Sequence, residues 1–299
     1  MPLLIAGCRR PSSLHSPYAS AGRYRFKIVE QEWLDVSRSR TVPVRMYVPV
    51  GAPEPLRVVV FSHGTANGRD GYSYLGSQWA SHGYLSVHPE HVGAGRDLER
   101  KGPLPGLMVD DDLTLRQIYP QDLHFVIDQL AKIQIGPRID ATHVAVAGHS
   151  MGAYAVLALA GLQVGDDSYR DNRVVAGIPI SMSEDLDPAA YAGVTIPLLH
   201  ITGTADMSLV YGTLPHDRRV PFESIGGGGD EYLVTIVGGT HSTPSEDESP
   251  DNHRAHDVIR AASTAFLDAY LRHDARAAKW LSGGGLKKFA DGDARVERK

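Results

Sequence analysis

Cysteine is almost absent from this chain, with one residue, Cys8, in 299. That excludes an intrachain disulfide and any metal centre built on clustered thiolates. No apolar run approaches the ~20 residues a helix needs to cross a bilayer. A basic surplus is lacking too. Thirty Lys and Arg stand against 35 Asp and Glu, for a formal net charge of −5. The composition therefore offers no footprint for nucleic acid. Internal repeats are missing. What is present, 42% hydrophobic and 22% charged residues, suits one decorated α/β domain with a large core.

The pattern along the chain alternates strand and helix. Arg23–Val29 and Val42–Val48 predict a lead-in strand pair, closed by Pro49. Arg57–Ser62, Leu85–Pro89, Val144–Gly148, Val174–Ile180, Pro197–Gly203 and Tyr232–Val237 are apolar runs of the kind buried on both faces of a parallel sheet. Helices are predicted at Tyr74–His82, from Pro120 to about Lys132, at Ala153–Leu162 and from Ala255 to Leu271. This order calls for an α/β fold, a mostly parallel sheet with helices on both faces, in one domain over residues 23–281. Residues 1–22 read as a signal remnant and flexible tether, and 282–299 as a frayed tail. The Gly-rich insertion Ala205–Gly229 is expected to be mobile. Arg116 and Asp122 are expected to pair structurally, and Asp110–Asp112 to belong to a solvated loop rather than a cation site.

The chemistry gathers at Gly148-His149-Ser150-Met151-Gly152, a G-x-S-x-G pentapeptide between a strand and a small-residue helix. A turn that sharp needs glycine at its flanks, and it leaves the serine hydroxyl exposed over the sheet edge. Ser150 is the candidate nucleophile. A serine hydroxyl is a poor nucleophile at neutral pH and needs a base, itself oriented by an acid. Asp206 follows one strand and His241 follows the last, giving the order Ser, Asp, His with each residue at a strand's carboxyl end. Glu184 and Asp185 are rival acids. The oxyanion produced by attack on a carbonyl needs N–H donors, for which the amides of Met151 and Thr65 are the candidates. His63 would buttress the Thr65 loop. Tyr72 and Tyr74 are candidates for lining the substrate site, with packing an equal reading for both, and His149 is a further candidate. No cofactor or metal is implied.

Leu3-Leu4-Ile5-Ala6-Gly7-Cys8 is similar to the end of a bacterial lipoprotein signal, in which a small residue precedes a lipidated cysteine. The basic region and most of the apolar region of such a signal are missing. An exported chain tethered to the cell envelope through Cys8 is expected, or a cytoplasmic one if the match is accidental.

Val58–Gly64, Ala80–Tyr84 and Gly148–Gly152 together resemble the α/β-hydrolase family over about Arg23 to Leu271. More narrowly they are similar to its dienelactone-hydrolase-like branch, beside the platelet-activating-factor acetylhydrolases and the cutinase or polyester hydrolases. Thr264–Leu271 is similar to the closing helix of that branch. The resemblance implies cofactor-free hydrolysis of carboxylic esters of small-molecule, lipid or polymeric kind. Three departures stand out. Dienelactone hydrolases use a cysteine where Ser150 stands. The acetylhydrolases carry an acid right after the strand matching Val174–Ile180, where Ser181 stands. Polyester hydrolases offer an aromatic at the Thr65 position, a Trp after that same strand and a C-terminal disulfide. A peptidase or acyltransferase could use the same triad, and a non-catalytic binding protein would need a broken one.

Overall fold

In a computed structural model, residues 16–65, 67–92, 112–165, 167–182, 186–208, 212–226, 228–245 and 252–299 are described. Apolar runs become strands where both sheet faces are covered. The strands are β1 (Phe26–Asp35), β2 (Arg40–Pro49), β3 (Leu56–Ser62), β4 (Leu85–Pro89), β5 (Ile139–His149), β6 (Val174–Ile180), β7 (Leu198–Ala205), β8 (Glu231–Thr240) and β9 (Ala294–Arg298). They form one nine-stranded sheet in the order β1-β2-β4-β3-β5-β6-β7-β8-β9. The six strands from β4 to β8 in this order run parallel. The lead-in pair β1–β2 flanks them antiparallel on one side and β9 on the other.

Alternation along β3 shows why two helical layers are needed. Val59 and Phe61 face a layer of α1 (Ser73–Ser81), α5 (His253–Leu271), α6 (Ala275–Ser282) and α7 (Gly285–Phe289). Val58 and Val60 face α2 (Asp112–Leu130) and α3 (Met151–Ala160) on the other side. Trp79 and Phe266 are completely buried between α1, α5 and the sheet. Each such side chain contributes about 1.5–3 kcal/mol by leaving water.

Five expectations change. Residues 16–22, expected to be a flexible tether, dock against α1. The Gln78 amide donates to the carbonyls of Tyr18 (2.8 Å) and Ser20 (3.1 Å), and the Tyr18 ring lies 4.9 Å from that of Trp280. Helix α2 starts at Asp112 and carries Pro120 inside it. Leu115, Tyr119, Leu123, Ile127 and Leu130 are all buried, so one apolar face crosses the proline and offsets the missing hydrogen bond. Arg116 and Asp122 do not pair, because six residues of helix rotate them to different faces. Arg116 lies over the Tyr154 ring instead, while Asp122 is held by Arg38 and Arg40.

The Ala205–Gly229 insertion is anchored by a turn at Asp217–Arg219 and by α4 (Val220–Ser224), with Arg218, Phe222 and Ile225 buried. The expected tail forms α7 and then β9, which pairs Val296 with Val234 and Ala294 with Ile236. Its alternating charges belong to an edge strand rather than to a frayed end. The Lys299 ammonium donates to the carbonyls of Phe222 and Ile225, tying the chain end to α4. Leu3–Cys8, Asp110, Asp111, Glu184 and Asp185 lie outside the described residues. Among those described, no helix is long and apolar enough to cross a membrane.

Candidate active site

The parallel register places five loops along one sheet edge. Ser62 pairs with Gly148, His149 with Ile180, Ile180 with Ile201, and Ala205 with Thr240. The chain after β3, β5, β6, β7 and β8 therefore leaves side by side, at the carboxyl ends where open α/β sheets build their sites.

Ser150 joins β5 to α3 with φ 55° and ψ −117°. A non-glycine residue held there costs about 1–3 kcal/mol and persists only when its surroundings enforce it. The enforcement is visible. The Ser150 amide donates to Ile180 O at 2.9 Å, and its carbonyl accepts from Ala153 N at 2.9 Å. A Cβ on Gly148 would stand 2.4 Å from Gly152 O, and one on Gly152 would stand 2.0 Å from Ser62 O. No side chain fits at either position, so the two glycines of the pentapeptide are steric requirements.

His241 Nε2 lies 3.1 Å from Ser150 Oγ, and its Nδ1 lies 2.9 Å from Asp206 Oδ1. The carboxylate accepts from Nδ1–H, which leaves the Nε2 lone pair facing the serine hydroxyl. Asp206 is fully buried, and its Oδ2 accepts the Thr202 hydroxyl at 2.9 Å. Burial works against ionisation here, but the His241 hydrogen bond and the Arg218 charge outweigh it. The carboxyl is held at about 2, below the usual range. Arg218 Nε lies 3.1 Å from Asp206 Oδ1. A Cβ on Gly203 would come within 2.0 Å of Gly239 O, so the ends of β7 and β8 touch backbone to backbone just before the acid and the base.

The loop after β3 lies against Ser150. A Cβ added to Gly64 would sit 3.2 Å from Ser150 Cβ. Thr65 follows directly, and the Met151 amide belongs to the first turn of α3, where backbone N–H groups have no partner within the helix. Thr65 is thus the chain neighbour of the glycine that touches Ser150, and Met151 the chain neighbour of Ser150 itself. His63 does buttress this loop: Nδ1–H donates to Gly64 O at 2.7 Å and Nε2 accepts the His91 amide at 3.0 Å. Behind it, His91 links the Ser62 hydroxyl (2.8 Å) to Asp122 (2.9 Å) in a second, buried Ser–His–Asp chain. The His91 and Tyr119 rings stack at 3.8 Å.

Two of the expected substrate-lining residues face inward instead. Tyr72 is fully buried and donates its hydroxyl to His149 Nδ1 at 2.7 Å. His149 is 4% exposed, and its Nε2–H donates to His241 O at 2.8 Å. Burial, then the neighbouring His241, hold His149 neutral, with a pKa lowered to about 3. With every polar atom engaged, the pair supports the elbow and the His241 backbone from beneath. Tyr74 is half-buried; it donates to Pro244 O at 3.0 Å and stacks on His256 at 4.2 Å, clamping the turn that carries His241. Arg218, which sequence reasoning missed, sits in a Gly-rich insertion whose local pattern carries no sign of it.

Sheet order, elbow and strand-end loops together define the α/β-hydrolase fold. A sequence model of the family described as serine aminopeptidase, S33, matches residues 53–177, from the turn before β3 into β6. That stretch includes the Gly64–Thr65 loop and the elbow, and it supports placing the chain in the α/β-hydrolase superfamily. The chain matches none of the curated proteins.

Proposed function

We propose that this chain is a serine carboxylic-ester hydrolase working through Ser150, His241 and Asp206. The observation that carries the reading is the unbroken hydrogen-bond chain from Ser150 Oγ through His241 to a buried, ionised Asp206, at a strained elbow. Ser150 Oγ attacks the ester carbonyl carbon as its proton passes to His241 Nε2. The Thr65 and Met151 amides receive the oxyanion. Collapse of the tetrahedral adduct breaks the acyl–oxygen bond, and His241 Nε2–H protonates the departing alcohol. Water then enters, gives its proton to His241 and releases the acid, restoring Ser150. Met207 and Leu214, each 47% exposed in the segment after Asp206, offer apolar surface suited to short or medium acyl chains and to lipid or polyester substrates.

The matched family's description favours a second reading, cleavage of an amide bond by the same triad. A fluorophosphonate probe with mass-spectrometric mapping, followed by matched ester, aminoacyl-amide and alcohol-acceptor substrates, separates the cases. Labelling at Ser150 with ester turnover well above amide turnover is the expected result. Preferred amide cleavage would move the assignment to the peptidase, and an unlabelled Ser150 would remove the nucleophile.

A further inference from the structure

Arg218 enters the site from the Asp217–Arg219 turn, in the insertion between β7 and β8. It is 5% exposed. Nε lies 3.1 Å from Asp206 Oδ1, the same oxygen that accepts from His241 Nδ1 at 2.9 Å. Nη1 donates to Ser181 O at 2.8 Å. Ser181 is the residue after β6, fully buried, and it takes φ 57°, a left-handed conformation unusual for serine. One guanidinium thus ties the ends of β6 and β7 together and shares the acid's inner oxygen with the base.

Orientation alone does not require a cation here. Thr202 already fixes Oδ2, and hydroxyl or amide donors could fix Oδ1 without burying a second charge. A buried ion pair is a costly way to hold a carboxylate still. A full positive charge next to Oδ1 also does what a neutral donor cannot: it offsets the field that Asp206 exerts on His241. A bare aspartate favours the protonated imidazole, which cannot accept the Ser150 proton.

Resting on the triad reading above, we propose that Arg218 is a positioning residue for catalysis. It fixes Asp206 Oδ1 against His241 and offsets part of the carboxylate charge, so that His241 remains an available base further into acid. Asp206 meets the His241 ring at Nδ1, Arg218 stands across the shared Oδ1, and the His149 ring lies 4.8 Å away, kept neutral by burial.

The test is the pH dependence of p-nitrophenyl ester kcat/KM and of Ser150 labelling by a fluorophosphonate, in wild type, Arg218→Met and Arg218→Lys. Arg218→Met should move the acid limb of both profiles to higher pH by about one unit. Its KM should stay within about twofold of wild type, because Arg218 does not reach substrate. Arg218→Lys keeps the charge and should return at least half of the shift. A folded Arg218→Met chain whose acid limb stays at the wild-type position overturns the proposal, even if turnover falls. Should Arg218→Met fail to fold, Arg218→Lys decides: a limb displaced by the full unit despite the retained charge overturns it equally. Failure of wild-type Ser150 to label would instead overturn the triad reading itself.

Discussion

Ser62–His91–Asp122 and Ser150–His241–Asp206 carry the same three groups in the same order, at nearly the same distances. The first runs 2.8 and 2.9 Å, the second 3.1 and 2.9 Å. Each carboxylate also faces arginine, two for Asp122 and one for Asp206. Surroundings separate them. The side chains of His91 and Asp122 are wholly buried, whereas 30% of the His241 side chain is exposed. Ser62 ends an ordinary strand; Ser150 occupies a strained turn at the start of a helix, with a second loop of backbone amides beside it. A triad is thus defined by access and by what receives the oxyanion, and not by its hydrogen bonds alone. The sealed chain serves as a pillar: through His91 and His63 it holds the Gly64–Thr65 loop against the elbow.

The sharpest way to break this distinction is at the two serines. Ser150→Ala should lower p-nitrophenyl ester turnover by roughly 10³-fold or more while thermal unfolding stays cooperative near the wild-type Tm. Undiminished turnover would end the role of the open chain.

Acid should act first on the buried side. His63 and His88 have pKa values of about 3, pushed down from 6.5 by burial, and His149 beneath the elbow is lowered alike. The unfolded chain takes up these protons near pH 6.5 and the folded chain only near 3. Stability is therefore fully present above about pH 6.5 and is lost as pH falls, by up to about 4 kcal/mol per pH unit for the three together. Calorimetry between pH 7.5 and 4.5 should show a steep fall in Tm; a flat profile would mean these rings are solvated.

Asp122→Asn leaves Arg38 and Arg40 around a neutral amide, which should cost about 3 kcal/mol in denaturant unfolding. Because the pillar carries the Gly64–Thr65 loop, proposed above to receive the oxyanion, kcat should fall as well in whatever fraction stays folded. Loss of stability without loss of kcat would separate the two chains entirely. Ser62→Ala, the smallest change, removes one buried hydrogen bond and should cost about 1 kcal/mol while leaving Ser150 labelling unchanged.

Much of the sheet was legible because its strands are apolar runs buried on both faces, and the elbow was legible because its two glycines answer a local steric demand. Asp206 and His241, chosen for their position just after such runs, fall into one hydrogen-bond chain with Ser150. Three features were hidden for physical reasons. Ala294–Arg298 looks like a solvated tail because its charged residues lie along an edge strand, and only pairing with Val234 and Ile236 makes it a strand. The inward turn of Tyr72 and His149 depends on contacts between residues 77 positions apart, which no local pattern encodes. Arg218 is one arginine among many, given meaning only when a loop folds it onto a carboxylate twelve residues earlier in the chain.

The contact between Gly203 and Gly239 has a consequence for divergence. Since the ends of β7 and β8 meet there without side chains, the separation of Asp206 from His241 is inherited from the sheet and owes little to the loops that follow. The segment that follows Asp206 can then change length or composition without shifting Asp206 against His241. A single methyl group at Gly203 would do the opposite: it would leave the loops themselves intact and push the ends of the two strands apart.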